Sequence, residues 1–127
     1  MLPAHLLGTV LQSAPDAIVI VDASGNIVFA NQQVFALFGL TEQETVGQNI
    51  EALIPERFRA SHLRHRRSYA ENVTVRPMGA GRDLFARHRD GAEFPVEVSL
   101  SPIRHDGELL VAAAIRDVTE RRKIQAD

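Results

Sequence analysis

The chain has 127 residues, enough for one domain that buries a core of its own. Its 45% hydrophobic and 24% charged content is ordinary for a globular domain, and a net charge of −2 gives no support to a polyanionic partner. The absence of cysteine excludes a disulfide, a thiolate nucleophile and a cysteine-held metal.

Leu6, Leu7, Val10 and Leu11 stand at helical spacing, so residues 1–14 read as an amphipathic helix whose stripe packs on its own domain or on a second chain. The same stretch, MLPAHLLGTVLQSAP, lacks the basic region and cleavage site of a signal peptide. No apolar run in the chain approaches the roughly 20 residues of a membrane span. A cytoplasmic domain without membrane contact is expected.

Ala17 to Val21 (AIVIV) reads as a buried strand, Asp22 to Asn26 as a turn, and Ile27 to Ala30 (IVFA) as the second arm of a hairpin. Asn31 is placed to cap the helix QQVFALFG, which Gly39 ends. Thr41 caps the next short helix, with Glu44 at the capping-box position. Gly47 and Pro55 break the chain into short turns, and Pro55 to Glu71 reads as the longest interior helix. Three strands follow. Leu84 to Arg89 turns at Asp90-Gly91 into Phe94 to Ile103, where Val96, Val98 and Leu100 alternate with Glu97, Ser99 and Ser101. His105-Asp106-Gly107 then leads into Glu108 to Val118. This order implies an α+β domain, an antiparallel sheet covered on one face by helices.

DAIVIVDASGNIVFAN, LFGLTEQETVGQNI, RHRDGAEFPVEVSLSPI and IRDVTERRK together resemble the PAS domain family in order and spacing. The resemblance implies a five-stranded antiparallel sheet in spatial order 2-1-5-4-3, with a core over residues 15–118 and an outgoing helix over 119–127. It also implies a sensory and dimerising module, a homodimer joined to a C-terminal effector such as a histidine kinase. A small ligand or cofactor would lie between helices and sheet. Asp117 and Thr119 match the Asp-x-Thr junction that hands the last strand to a signalling helix. Asp117 is placed to cap that helix, with Glu120 at the capping-box position and Thr119 as an alternative cap, and to pair with Arg87 or Arg89 on a neighbouring strand.

At about 100° per residue, Phe58, His62, His65 and Tyr69 fall on one face of the long helix, and its arginines point elsewhere. With Met78, Leu84, Phe85, Val98 and Ile115 they form the expected pocket, with Arg76 and Arg82 placed to meet a carboxylate or heme propionate. One reading is a heme gas or redox sensor, with His62 on the iron and Phe58, Met78, Leu84 and Phe85 around the porphyrin. The resemblance bears on this twice. In rhizobial oxygen-sensor PAS domains the heme histidine precedes a GxGR-like turn, where this chain has Arg76. A second heme group takes it from an RxxH stretch, which is His62 in RASH, but the distal methionine of that group falls at Ala80. The alternative is a packed histidine at the pocket edge. A flavin photoreceptor is not expected, since its adduct needs a cysteine, and a flavin redox sensor is disfavoured by the absence of tryptophan and of a recognisable flavin-binding pattern. A third reading is a ligand-free dimerisation scaffold. The arginines of ERFRASHLRHRR read as a solvated helix face rather than a nucleic-acid site. No nucleophile elbow or phosphate loop is present, so the domain by itself is not expected to be an enzyme.

Overall fold

The computed structural model describes residues 15–60, 62–64, 76–77 and 84–119. The helix expected over residues 1–14 and the outgoing helix beyond Thr119 lie outside these residues.

Strand β1 (Ala17–Val21) and β2 (Ile27–Ala30) form the expected hairpin. The Asp22 carboxylate closes the turn by accepting the N–H groups of Ser24 and Asn26, each at 2.9 Å. Helix α1 (Gln32–Phe38) starts at Asn31, whose side chain accepts the Val34 N–H, and ends at Gly39 in the left-handed region, φ 73°. Only glycine enters that region cheaply, and here space is also short. A Cβ on Gly39 would come within 2.6 Å of the His88 ring. Helix α2 (Glu42–Thr45) carries the complete capping box of Thr41 and Glu44.

Short 3-10 turns follow at Ile50–Leu53 and Glu56–Phe58. The segment expected as one helix from Pro55 thus opens as a 3-10 turn with Pro55 as its cap. Residues 59–60 and 62–64 are helical.

Segments β3 (Arg76–Pro77) and β4 (Leu84–Arg87) both pair with β5 (Glu93–His105), which pairs in turn with β6 (Glu108–Asp117). Because β3 and β4 share one edge of β5, the sheet has five positions, all antiparallel, in the order 2-1-5-4-3. Strand β4 stops two residues before its expected end. The Arg89 N–H leaves the sheet to bond the Phe38 carbonyl at 2.9 Å, and the His88 N–H bonds Ala92 O across the turn at 2.8 Å. Asp106 and Gly107, both at positive φ (50° and 80°), make the two-residue turn between β5 and β6.

Register decides which residues face the helices. Ala17, Val19 and Val21 on β1 share a face with Ala113 and Ile115 on β6, with Val96 and Val98 on β5, and with Leu84 and Ala86 on β4. The helical layer closes over this face with Val34, Phe38 and Leu53, forming a single core. Phe38 meets Phe94 at a ring-centroid distance of 5.6 Å and a tilt of 58°, which ties the end of α1 to the start of β5.

Candidate functional site

The inner sheet face brings three of the expected pocket residues together. Val98 pairs directly with Ile115, Leu84 pairs with Val96 one pleat away, and all three point at the helical layer. Val98 and Ile115 are buried, whereas Leu84 is half-buried at the rim.

Phe85 is placed differently. Alternation along β4 puts Leu84 and Ala86 inward, so Phe85 shares the opposite face with Arg87. Its ring lies nearly parallel to that of Phe58, 12° between planes and 6.5 Å between centroids. Arg57 covers the Phe58 ring at 4.4 Å and is ion-paired to Glu93, which stands opposite Arg87. Phe58 and Phe85 therefore form an aromatic clasp at the sheet edge, and Phe58 is 37% exposed.

His62 is in the helical layer with its side chain only 15% exposed, its Nδ1 3.7 Å from the Glu51 carboxylate, itself 14% exposed. Glu51 carried no signal in the sequence. The 3-10 turn that presents it begins at an Asn49 cap whose side chain accepts the Glu51 N–H. His65, Tyr69, Met78 and Arg82 lie outside the described residues, as does the side chain of Arg76. Among the described residues no group of three or more His, Cys, Asp or Glu side chains is arranged to hold a metal ion.

The second cluster gathers where β1 begins and β6 ends. The Asp117 carboxylate accepts the Thr119 N–H at 2.8 Å and also its hydroxyl, and residue 119 already has helical geometry. The helix that Asp117 is expected to cap lies beyond the described residues. The expected ion pair of Asp117 is not formed, because Arg89 holds Glu44 at 2.9 Å and Arg87 faces Glu93.

Arg116 instead reaches across to Asp16, with two bonds of 3.2 Å from its Nε and Nη2. The Asp16 hydrogen bond raises the Arg116 pKa. A cleft of about 230 Å³ opens beside this pair, between Leu37 of α1 and Pro15, Ile115 and Asp117. Nothing in the sequence marked the pair, since its members stand 100 residues apart.

The model of the PAS domain family matches residues 15–120. The chain belongs to the PAS domain family. Sensor protein FixL of Bradyrhizobium diazoefficiens is 32% identical over 120 residues, covering 94% of this PAS chain and 24% of that protein. Oxygen sensor protein DosP of Escherichia coli is 28% identical over 101 residues, covering 80% of the chain and 13% of that protein. The PAS domain of an HTR-like protein from Haloarcula marismortui superposes with a TM-score of 0.73 at 26% identity, covering 90% of each chain. This chain thus spans a quarter or less of the length of these two curated relatives. Among the described residues no helix is long and apolar enough to cross a membrane.

Proposed function

We propose that this PAS domain is a cytoplasmic sensory and dimerisation module that holds a small organic ligand between its helical layer and the inner sheet face. It passes the resulting change to a C-terminal effector of the two-component histidine-kinase kind. One observation carries the reading. Strand β6 bears Ile115 in the core and, two residues later, Asp117 bonded to the first helical residue, Thr119. A change in packing around Val98 and Ile115 reaches Thr119 along a single strand.

The ligand acts by preferring one of two packing arrangements, and the shift is limited by that preference. A tenfold difference in affinity moves the balance by about 1.4 kcal/mol. His62 and Glu51 supply polar contacts in an otherwise apolar site. Dimerisation uses the other sheet face, where Ile18 pairs with Ala114 and Ile20 with both Ala112 and Phe29.

The test is native mass spectrometry of the purified domain, with thermal melting across a metabolite panel. A retained or stabilising molecule, whose effect is lost in Val98→Phe, supports the reading. A bare dimeric mass with no stabilisation by any compound overturns it in favour of the scaffold.

A second reading is a heme sensor through His62. It is favoured by the Nδ1-to-carboxylate approach of His62 to Glu51, the arrangement in which metal-ligating histidines commonly offer their other nitrogen. The likeness to DosP, named an oxygen sensor, supports it as well. His62 would hold the group and Leu84 would line it, and the iron would supply diatomic-gas binding. Against it, Phe58 is spent on Phe85 at the edge. A Soret band after expression with added heme, lost in His62→Ala, would establish this reading, and its absence removes it.

A further inference from the structure

The observations around Asn31 and Arg116 carry a regulatory inference that deepens the sensory reading and rests on it for its purpose. We propose that a polar chain, Asn31 to Asp16 to Arg116, couples helix α1 to the end of β6 and that the Asp16–Arg116 pair is a positioning element for Thr119. This route is separate from the packing of Ile115.

Its first link is rigid. Asn31 is fully buried, and its Oδ1 accepts the N–H of Ile18 at 3.0 Å and that of Val34 at 3.3 Å. Its Nδ2 donates to the Asp16 carbonyl at 3.0 Å, and its own N–H donates to Ile18 O at 3.1 Å. The first turn of α1 and the chain leading into β1 thus move as one piece.

The second link is directional. The planar guanidinium of Arg116 meets both oxygens of Asp16, so a rotation of Asp16 is passed on as a rotation of Arg116 and not merely as a change in field. Arg116 is followed at once by Asp117, the residue that holds the Thr119 N–H.

The third element is room to move. The cleft of about 230 Å³ separates Leu37 of α1 from Pro15 and Arg116, and no described residue fills the space between α1 and the end of β6. Leu37 also packs against the core from the helical layer, which exposes α1 to any change beneath it.

Because the Arg116 side chain is 61% exposed, the ion pair adds little to global stability, and its contribution lies in geometry. This makes the proposal separable from a structural role. Arg116 also stands in register with Glu97 across the β5–β6 pairing, which provides a charge control on the same face.

The experiment is amide hydrogen exchange of the domain, read at Thr119, with a urea midpoint for each variant. Asp16→Asn and Arg116→Gln should each speed Thr119 exchange about fivefold while leaving the urea midpoint in place. The charge swap Asp16→Arg with Arg116→Asp should restore protection, and Glu97→Gln should leave it unchanged. Unchanged Thr119 exchange in both single variants overturns the proposal. An equal effect from Glu97→Gln also overturns it, since that reports surface charge rather than a specific link. The measurement needs no ligand, so failure to find one refutes the sensory reading and leaves this result standing.

Discussion

At the scale of single residues, Asn31 is the most connected polar side chain described. It satisfies two N–H groups and one carbonyl in a place water does not reach. Asn31→Ala is expected to cost about 2–3 kcal/mol, since buried groups are left without partners. Asn31→Asp is expected to cost more, because a carboxylate oxygen would then face the Asp16 carbonyl; urea unfolding of the two variants checks the order. Gly39→Ala is expected to cost about 1–2 kcal/mol from its left-handed backbone alone, with a further loss as His88 is displaced. The helix-capping role of Asn31 was legible in the sequence, because a cap is a local event. Its bonds to Asp16 and Ile18 were not, since they depend on how α1 returns over β1.

At the scale of elements, exposed ion pairs and turn bonds fasten the helical layer and the β4–β5 turn to the sheet. The Glu44 carboxyl is lowered by the Thr41 N–H and then by Arg89, Asp90 by the Ala92 N–H, and Glu93 by the Arg57 side chain. Each pKa is lower folded than unfolded, so each contribution is whole above the ordinary carboxylate range near pH ~4. It fades as pH falls through the depressed folded values. These three contributions should therefore be lost only on the acid side of that range. In Arg57→Ala the Glu93 titration should move up toward the ordinary range, as followed by NMR of its side-chain carbonyl.

Element boundaries were legible where the signal was a cap or a tight turn, as at Thr41, Gly39 and Asp106-Gly107. The placing of Phe58 on one face with His62 assumed α-helical rotation from Pro55 onward. Residues 56–58 instead wind as a 3-10 turn at about 120° per residue, so Phe58 falls off that face and meets Phe85. The inward direction expected of Phe85 failed for a different reason. Strand parity is set by the partner, and a one-residue shift exchanges the two faces.

At the scale of the whole molecule, β6 lies between β1 and β5, and every other part of the sheet hangs on that trio. Ile115→Ala removes side-chain volume from the middle of it, and a loss of about 2–4 kcal/mol is expected. Far-UV circular dichroism and hydrogen exchange should report the same lowered midpoint, as they do for one cooperative unit. The strand order was legible through family likeness, and the buried faces of β1 and β5 through their alternation. What sequence left open was how the ends of the sheet meet, because that follows from twist and register accumulated over the chain.

The divided edge strand has a consequence for encounters between molecules. Pro77 faces Ser99 and Leu84 faces Val96, so seven residue steps on the edge answer only three on β5. Among the described residues, a foreign strand arriving at this border finds two short, offset rows of donors and acceptors. The opposite border, β2, has only four residues. Among the described residues neither margin offers a long run for strand-by-strand accretion, so the described edges give a growing fibril little to pair with.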